Sequence, residues 1–93
     1  MQSLKPALYI VATPIGNLED ITYRAVRILK ECDLILCEDT RKTQILCKAY
    51  DISVPLKSYR VHHLEADTAF ALAKLREGQS LALCTDAGTP GLS

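Results

Sequence analysis

The chain has 93 residues, 48% of them hydrophobic and 24% charged, which is enough for one small globular domain and too short for two. Eleven basic and eleven acidic residues cancel, and neither sign gathers into a block, so the charge balance alone builds no field that would attract nucleic-acid phosphate. Cys32, Cys37, Cys47 and Cys84 lie in apolar surroundings without a C-x-x-C pair or a histidine at ligand spacing, a pattern that favours buried free thiols over disulfides or zinc.

The N-terminus reaches Pro6 before the apolar core of a signal peptide can develop, and no apolar run approaches membrane-spanning length, so a cytoplasmic location is expected, with no membrane partner. From Leu8 to Ala12 the chain is nearly continuously apolar and then meets Thr13-Pro14-Ile15-Gly16-Asn17, which predicts a buried strand feeding a loop. Ile21, Ala25, Ile28, Leu29 and Cys32 then recur at helical spacing, with Arg24, Arg27, Lys30 and Glu31 on the other side. Leu34 to Cys37 predicts a second strand, and Asp39 or Thr40 is placed to cap a helix running to about Tyr50. The stretch Val54-Pro55-Leu56-Lys57-Ser58-Tyr59 suits a short strand near a sheet edge, since Pro55 has no amide to donate. A helix over residues 65–77, ended by Gly78, precedes a last strand from Leu81 to Cys84.

Strands that are apolar throughout and alternate with helices imply an α/β fold, a parallel sheet with right-handed crossovers and helices on both faces. Ligands in such sheets bind beyond the carboxyl ends of the strands, where this chain has three polar segments: Thr13 to Asn17, Glu38 to Arg41, and Thr85 to Gly91. In the first, Pro14 fixes the chain direction and Gly16 lets backbone approach a ligand, although a tight turn needs the same residues. It lacks the Lys-Ser/Thr of a Walker loop and the glycine spacing of a dinucleotide fingerprint. In the second, Glu38 or Asp39 is suited to orienting a hydroxyl or taking its proton, and Arg41 to holding a phosphate or carboxylate. A capped helix start with a surface ion pair accounts for the same residues. In the third, Asp86 and the glycines suit close contact with a small, charged molecule, or an Asx-turn. The adjacent pair His62-His63 has no further ligand beside it in sequence, and no metal site is expected.

Taken in order, Leu8-Tyr9-Ile10-Val11-Ala12-Thr13-Pro14-Ile15-Gly16-Asn17-Leu18, Cys37-Glu38-Asp39-Thr40-Arg41, Ser58-Tyr59 and Asp86-Ala87-Gly88-Thr89-Pro90-Gly91-Leu92-Ser93 resemble the ribosomal RNA small subunit methyltransferase I family of the tetrapyrrole-methylase superfamily. The resemblance implies the three-layer N-terminal domain of the class III methyltransferase fold, here residues 1–93, followed in the family by a C-terminal cofactor-binding domain. It implies a homodimer that uses S-adenosylmethionine to methylate a cytidine ribose 2′-hydroxyl in 16S rRNA within the small ribosomal subunit. By that resemblance Pro14, Gly16, Gly88, Thr89, Pro90 and Gly91 form the N-terminal wall of the cofactor site, with Asp86 supporting the second loop. Glu38 or Asp39 is then the candidate base, and Arg41 the candidate for positioning RNA phosphate. The chain departs from the family where His63 follows His62 in place of an Asn, and it stops before the family's Asp-Pro-Gly continuation. It is therefore expected to be a piece that transfers no methyl group alone. A methylase acting on a tetrapyrrole or another substrate, and a non-catalytic interaction or dimerisation module, are the competing expectations.

Overall fold

The computed structural model describes residues 4–14, 16–59 and 64–86, with side chains except at 64–66 and 86. His62, His63, Gly88, Thr89, Pro90 and Gly91 lie outside the described residues. Strands β1 (Leu8–Thr13), β2 (Leu34–Cys37), β3 (Leu56–Ser58) and β4 (Leu81–Asp86) alternate with helices α1 (Tyr23–Glu31), α2 (Thr40–Ala49) and α3 (Leu64–Arg76). The strands form one parallel sheet in the order β1-β4-β2-β3. The first two crossovers step the same way across the sheet and the third steps back, which for right-handed connections puts α1 and α2 on one face and α3 on the other.

Side-chain alternation follows from that layering. Val11, Ile35, Cys37, Ala82 and Cys84 point to one face and pack with Ala25, Ile28 and Leu29 of α1 and Leu46 and Cys47 of α2. Leu36 and Leu81 point the other way and are also buried, on the side where α3 lies against β4. Burying a fully enclosed side chain such as Leu29 or Ile35 contributes about 1.5–3 kcal/mol. On the edge strand β1 the second face is left uncovered by the described residues, and Leu8 and Ile10 are 42% and 50% exposed.

Local chemistry sets the ends of the elements. Thr22 caps α1, its Oγ1 accepting from the Ala25 amide at 3.0 Å, so the helix starts after Ile21 although the apolar periodicity already includes that residue. Both α2 and α3 end in the same way. The Ile52 amide donates to the Cys47 carbonyl (2.8 Å) and the Gln79 amide to the Lys74 carbonyl (3.1 Å), each across a residue of positive φ, Asp51 and Gly78. Gly78 is the expected residue for that turn, whereas Asp51 holds φ 59° with a side chain. Strands β1 and β4 run one and two residues past their apolar cores because Ala12 and Thr13 pair in register with Thr85 and Asp86. Pro55 precedes β3, which pairs only with β2, and its carbonyl still accepts from the Ile35 amide at 3.0 Å. At the amino end of the sheet, Asp33 Oδ2 accepts from the Ser80 amide (2.8 Å) and hydroxyl (3.2 Å), clipping β2 to β4.

Candidate functional site at the carboxyl rim

Because every strand is parallel, the segments after β1, β2 and β4 emerge on one rim of the sheet. β1 and β4 are tied there side by side, with the Thr13 hydroxyl donating to the Thr85 carbonyl at 3.0 Å. After Pro14 the chain turns at Gly16, whose φ of 91° is open to glycine and strained for other residues. Nothing lies within 4 Å of where a Cβ would stand, so backbone angle rather than crowding within the protein calls for glycine. A single 3₁₀ turn, Leu18–Asp20, follows, capped by Asn17, whose side chain accepts from the Glu19 amide at 3.0 Å. The Tyr50 hydroxyl donates to the Leu18 carbonyl at 2.6 Å and so fastens this turn to the end of α2. The turn residues predicted a loop here; the 3₁₀ turn itself, spanning three residues, has too little periodicity to be seen in sequence.

On the other side of the rim, Asp39 is the cap of α2. Its Oδ1 accepts from the amides of Arg41 (3.0 Å) and Lys42 (3.4 Å). This settles the choice between Asp39 and Thr40 and engages one carboxylate oxygen structurally. Glu38 stands exposed on the turn before it. Between the two sides lies an open cleft of about 500 Å³. Its β1 wall is Thr13, Pro14, Gly16 and Leu18, and its floor includes Cys37 and Cys84. The opposite wall is Glu38, Asp39 and one flank of α2: Lys42, Thr43, Ile45 and Leu46. A cleft of this size with apolar walls and a few converging polar groups has the character of a small-molecule site.

The sequence-derived candidates divide across this geometry. Pro14, Gly16, Glu38 and Asp39 meet in the cleft. Arg41 does not line it; its side chain is 91% exposed and stands 3.8 Å from Asp39 Oδ1, outside. The backbone of Asp86 pairs with Thr13, which brings the start of the third segment to the same rim, while Gly88, Thr89, Pro90 and Gly91 fall outside the described residues. The α2 residues Lys42, Thr43, Ile45 and Leu46 were not singled out from the sequence, and the two floor cysteines were read only as buried thiols. The helical spacing from Asp39 to Thr43 and Leu46 was the signal available for the α2 flank.

All four cysteines are buried and none forms a disulfide. Burial pushes the Cys32 thiol up to about 11 from 9.0. Burial also raises the thiols of Cys37 and Cys47, opposed at Cys37 by a hydrogen bond with the Thr43 side chain. The floor thiol of Cys37 is therefore held in its neutral form, an apolar surface rather than a nucleophile.

A parallel sheet that gathers polar turns into a cleft at its carboxyl rim is the arrangement of an α/β ligand-binding domain. The sequence matches the Tetrapyrrole (Corrin/Porphyrin) Methylases over residues 7–93, and the chain belongs to that family. Among curated relatives it is 54% identical over 86 residues to a Synechocystis protein named ribosomal RNA small subunit methyltransferase I, covering 92% of this chain and 31% of the relative. A protein of the same name from Leptospira biflexa is 49% identical over 89 residues, covering 96% of this chain and 37% of the relative. The chain thus spans about a third of the length of these relatives. The solved structure of cobalt precorrin-4 methyltransferase, a cobalamin biosynthetic enzyme, superposes with a TM-score of 0.69 at 23% identity, covering 90% of this chain and 36% of that one. That likeness shows the fold and supports the three-layer parallel α/β reading. Among the described residues no helix is long and apolar enough to cross a membrane.

Proposed function

We propose that this chain is the N-terminal domain of an S-adenosylmethionine-dependent methyltransferase that acts on the 2′-hydroxyl of a cytidine ribose in 16S rRNA, on the small ribosomal subunit in the cytoplasm. The observation that carries the reading is that parts of two segments by which the sequence resembles the rRNA branch, Thr13, Pro14 and Gly16 of the first and Glu38 and Asp39 of the second, converge on one cleft. The relatives named for ribosomal RNA methylation support it. The cleft suits the cofactor in chemistry as well as size. S-Adenosylmethionine carries a sulfonium, an ammonium and a carboxylate, and the described lining residues offer two carboxylates, one ammonium, hydroxyls and a floor that includes the neutral thiol of Cys37.

The cofactor supplies an already activated methyl group, so the protein's contribution is to orient donor and acceptor and keep water out. Pro14 and Gly16 form one wall, and by the family resemblance Asp86, the last residue of β4, and Gly88, Thr89, Pro90 and Gly91 also serve cofactor binding. Glu38 is the carboxylate best placed to accept the ribose proton, because Asp39 already has an oxygen committed to the helix cap. Arg41, facing outward, meets RNA phosphate beyond the cleft. A C-terminal domain completes the cofactor site over this cleft, and the working unit is a homodimer. Without that domain, the 93-residue chain binds cofactor weakly and transfers no methyl group.

The test is to incubate the full-length protein with tritium-labelled methyl donor and small ribosomal subunits lacking the modification. Label in a cytidine ribose of 16S rRNA is expected. Label on a tetrapyrrole, or none on RNA, would overturn the assignment, as would efficient turnover by residues 1–93 alone.

A further inference from the structure

We propose that Lys42 is the residue that holds the anionic group, carboxylate or phosphate, of the molecule bound in the cleft. The inference rests on the cleft being the ligand site proposed above. Successive residues of an α-helix are turned by about 100°, so neighbouring side chains face different ways. The flank of α2 that enters the cleft is Lys42, Thr43, Ile45 and Leu46, with Thr43 and Leu46 buried. Arg41, one residue earlier, is rotated off that flank into solvent. Lys42 is the one cationic side chain among the described lining residues, and it shares the cleft with Glu38 and Asp39.

Two carboxylates and an ammonium along one wall of the cleft sort a ligand by charge: its positive groups go toward Glu38 and Asp39, and its negative group toward Lys42. An ammonium on a four-carbon stem is a point charge that follows its partner, and needs no fixed fork geometry. Lys42 already makes a contact within the chain, so ligand binding exchanges one partner for another. Two sources fit the shared chemistry, the carboxylate of the methyl donor and a phosphate of the RNA.

The experiment uses the full-length protein and its Lys42→Met, Lys42→Arg and Lys48→Met variants. Lys48 lies in the last turn of the same helix, exposed and away from the cleft, and controls for loss of one positive charge. Calorimetry measures binding of S-adenosylmethionine and of its decarboxylated analogue, and a 16S RNA fragment is titrated at several salt concentrations. A lost charge-assisted contact is expected to weaken binding roughly three- to thirty-fold, with Lys42→Arg recovering most of it. If Lys42→Met weakens the cofactor but not the decarboxylated analogue, the partner is the cofactor carboxylate. If cofactor affinity holds while RNA affinity and its salt dependence fall by about one phosphate contact, the partner is RNA. Both results support the inference. Affinities for cofactor and RNA both within about twofold of wild type, or an equal loss in Lys48→Met, overturn it alone. Failure of the wild-type protein to bind either ligand overturns the cleft assignment, and this inference with it.

Discussion

Asp39 stands where a structural and a chemical role compete, and the two predict different variants. Its Oδ1 accepts from the amides of Arg41 and Lys42, two of the four donors that the first turn of α2 would otherwise leave without partners. Removing such a cap costs about 1 kcal/mol, within a range of roughly 0.5–2. The ion pair to Arg41 adds little, because at 3.8 Å with side chains 91% and 46% exposed it is screened by water. Asp39→Ala is therefore expected to destabilise by about 1 kcal/mol, which for a domain of this size lowers the melting midpoint by about 4–8 °C. Asp39→Asn keeps an oxygen in the same place and should stay within a few tenths of a kcal/mol of wild type. Urea titrations followed by far-ultraviolet circular dichroism measure all three proteins. An Asn variant as unstable as the Ala variant would show that the negative charge, not the accepting oxygen, does the stabilising. In the full-length protein the Asn variant should also retain methyl transfer. A loss of a hundredfold or more at unchanged stability would give the carboxylate a chemical role and displace Glu38 as the base.

Cys32 has a folded-state pKa raised by burial to about 11, so its neutral thiol stabilises the fold fully below the unfolded value near 9, and that contribution, about 2–3 kcal/mol, is lost as pH rises through 11. Denaturation midpoints measured from pH 8 to 11.5 should fall for wild type and less for Cys32→Ala; parallel profiles would refute the assignment. Asp33→Ala strips the amide and hydroxyl of buried Ser80 of the acceptor they share and should cost about 1–3 kcal/mol in urea unfolding, while leaving ligand affinity unchanged because the clip lies at the opposite end of the sheet from the cleft. A change in affinity at equal stability would contradict that separation. Tyr50→Phe releases the Leu18 carbonyl and should lower stability by about 1 kcal/mol, with faster amide exchange at the 3₁₀ turn Leu18–Asp20 than elsewhere. Uniform exchange changes would mean the hydroxyl does not fasten that turn.

Much of the fold was legible because the two periodicities separate cleanly along this chain. Residues 8–12, 34–37 and 81–84 are apolar without a polar face, the pattern expected of strands in a parallel sheet, and each is followed at once by turn or cap chemistry. The apolar stripe of α1 comes at full helical spacing, and Thr22 trimmed its start by two residues. What sequence could not give was the insertion of β4 between β1 and β2, since strand order depends on which apolar faces meet and not on any local signal. The uncovered face of β1 is equally silent, because Leu8 and Ile10 read as core in a strand whose neighbours Val11 and Tyr9 do face the packed side.

The site was legible in residue type and partly illegible in direction. Glu38-Asp39-Thr40-Arg41 shows that charges of both signs sit at a strand end, but whether each points into the cleft is a question of helical phase. That phase is set farther along, where Thr43, Leu46 and Cys47 are the buried positions of α2. Lys42, one step before Thr43, falls on the edge of that buried flank and enters the cleft, while Arg41, a further 100° round, leaves it. The guanidinium, with the more specific hydrogen-bonding geometry, is thus directed to the outer surface, where a polyanion can reach it. Lys42, itself exposed, lines the cleft.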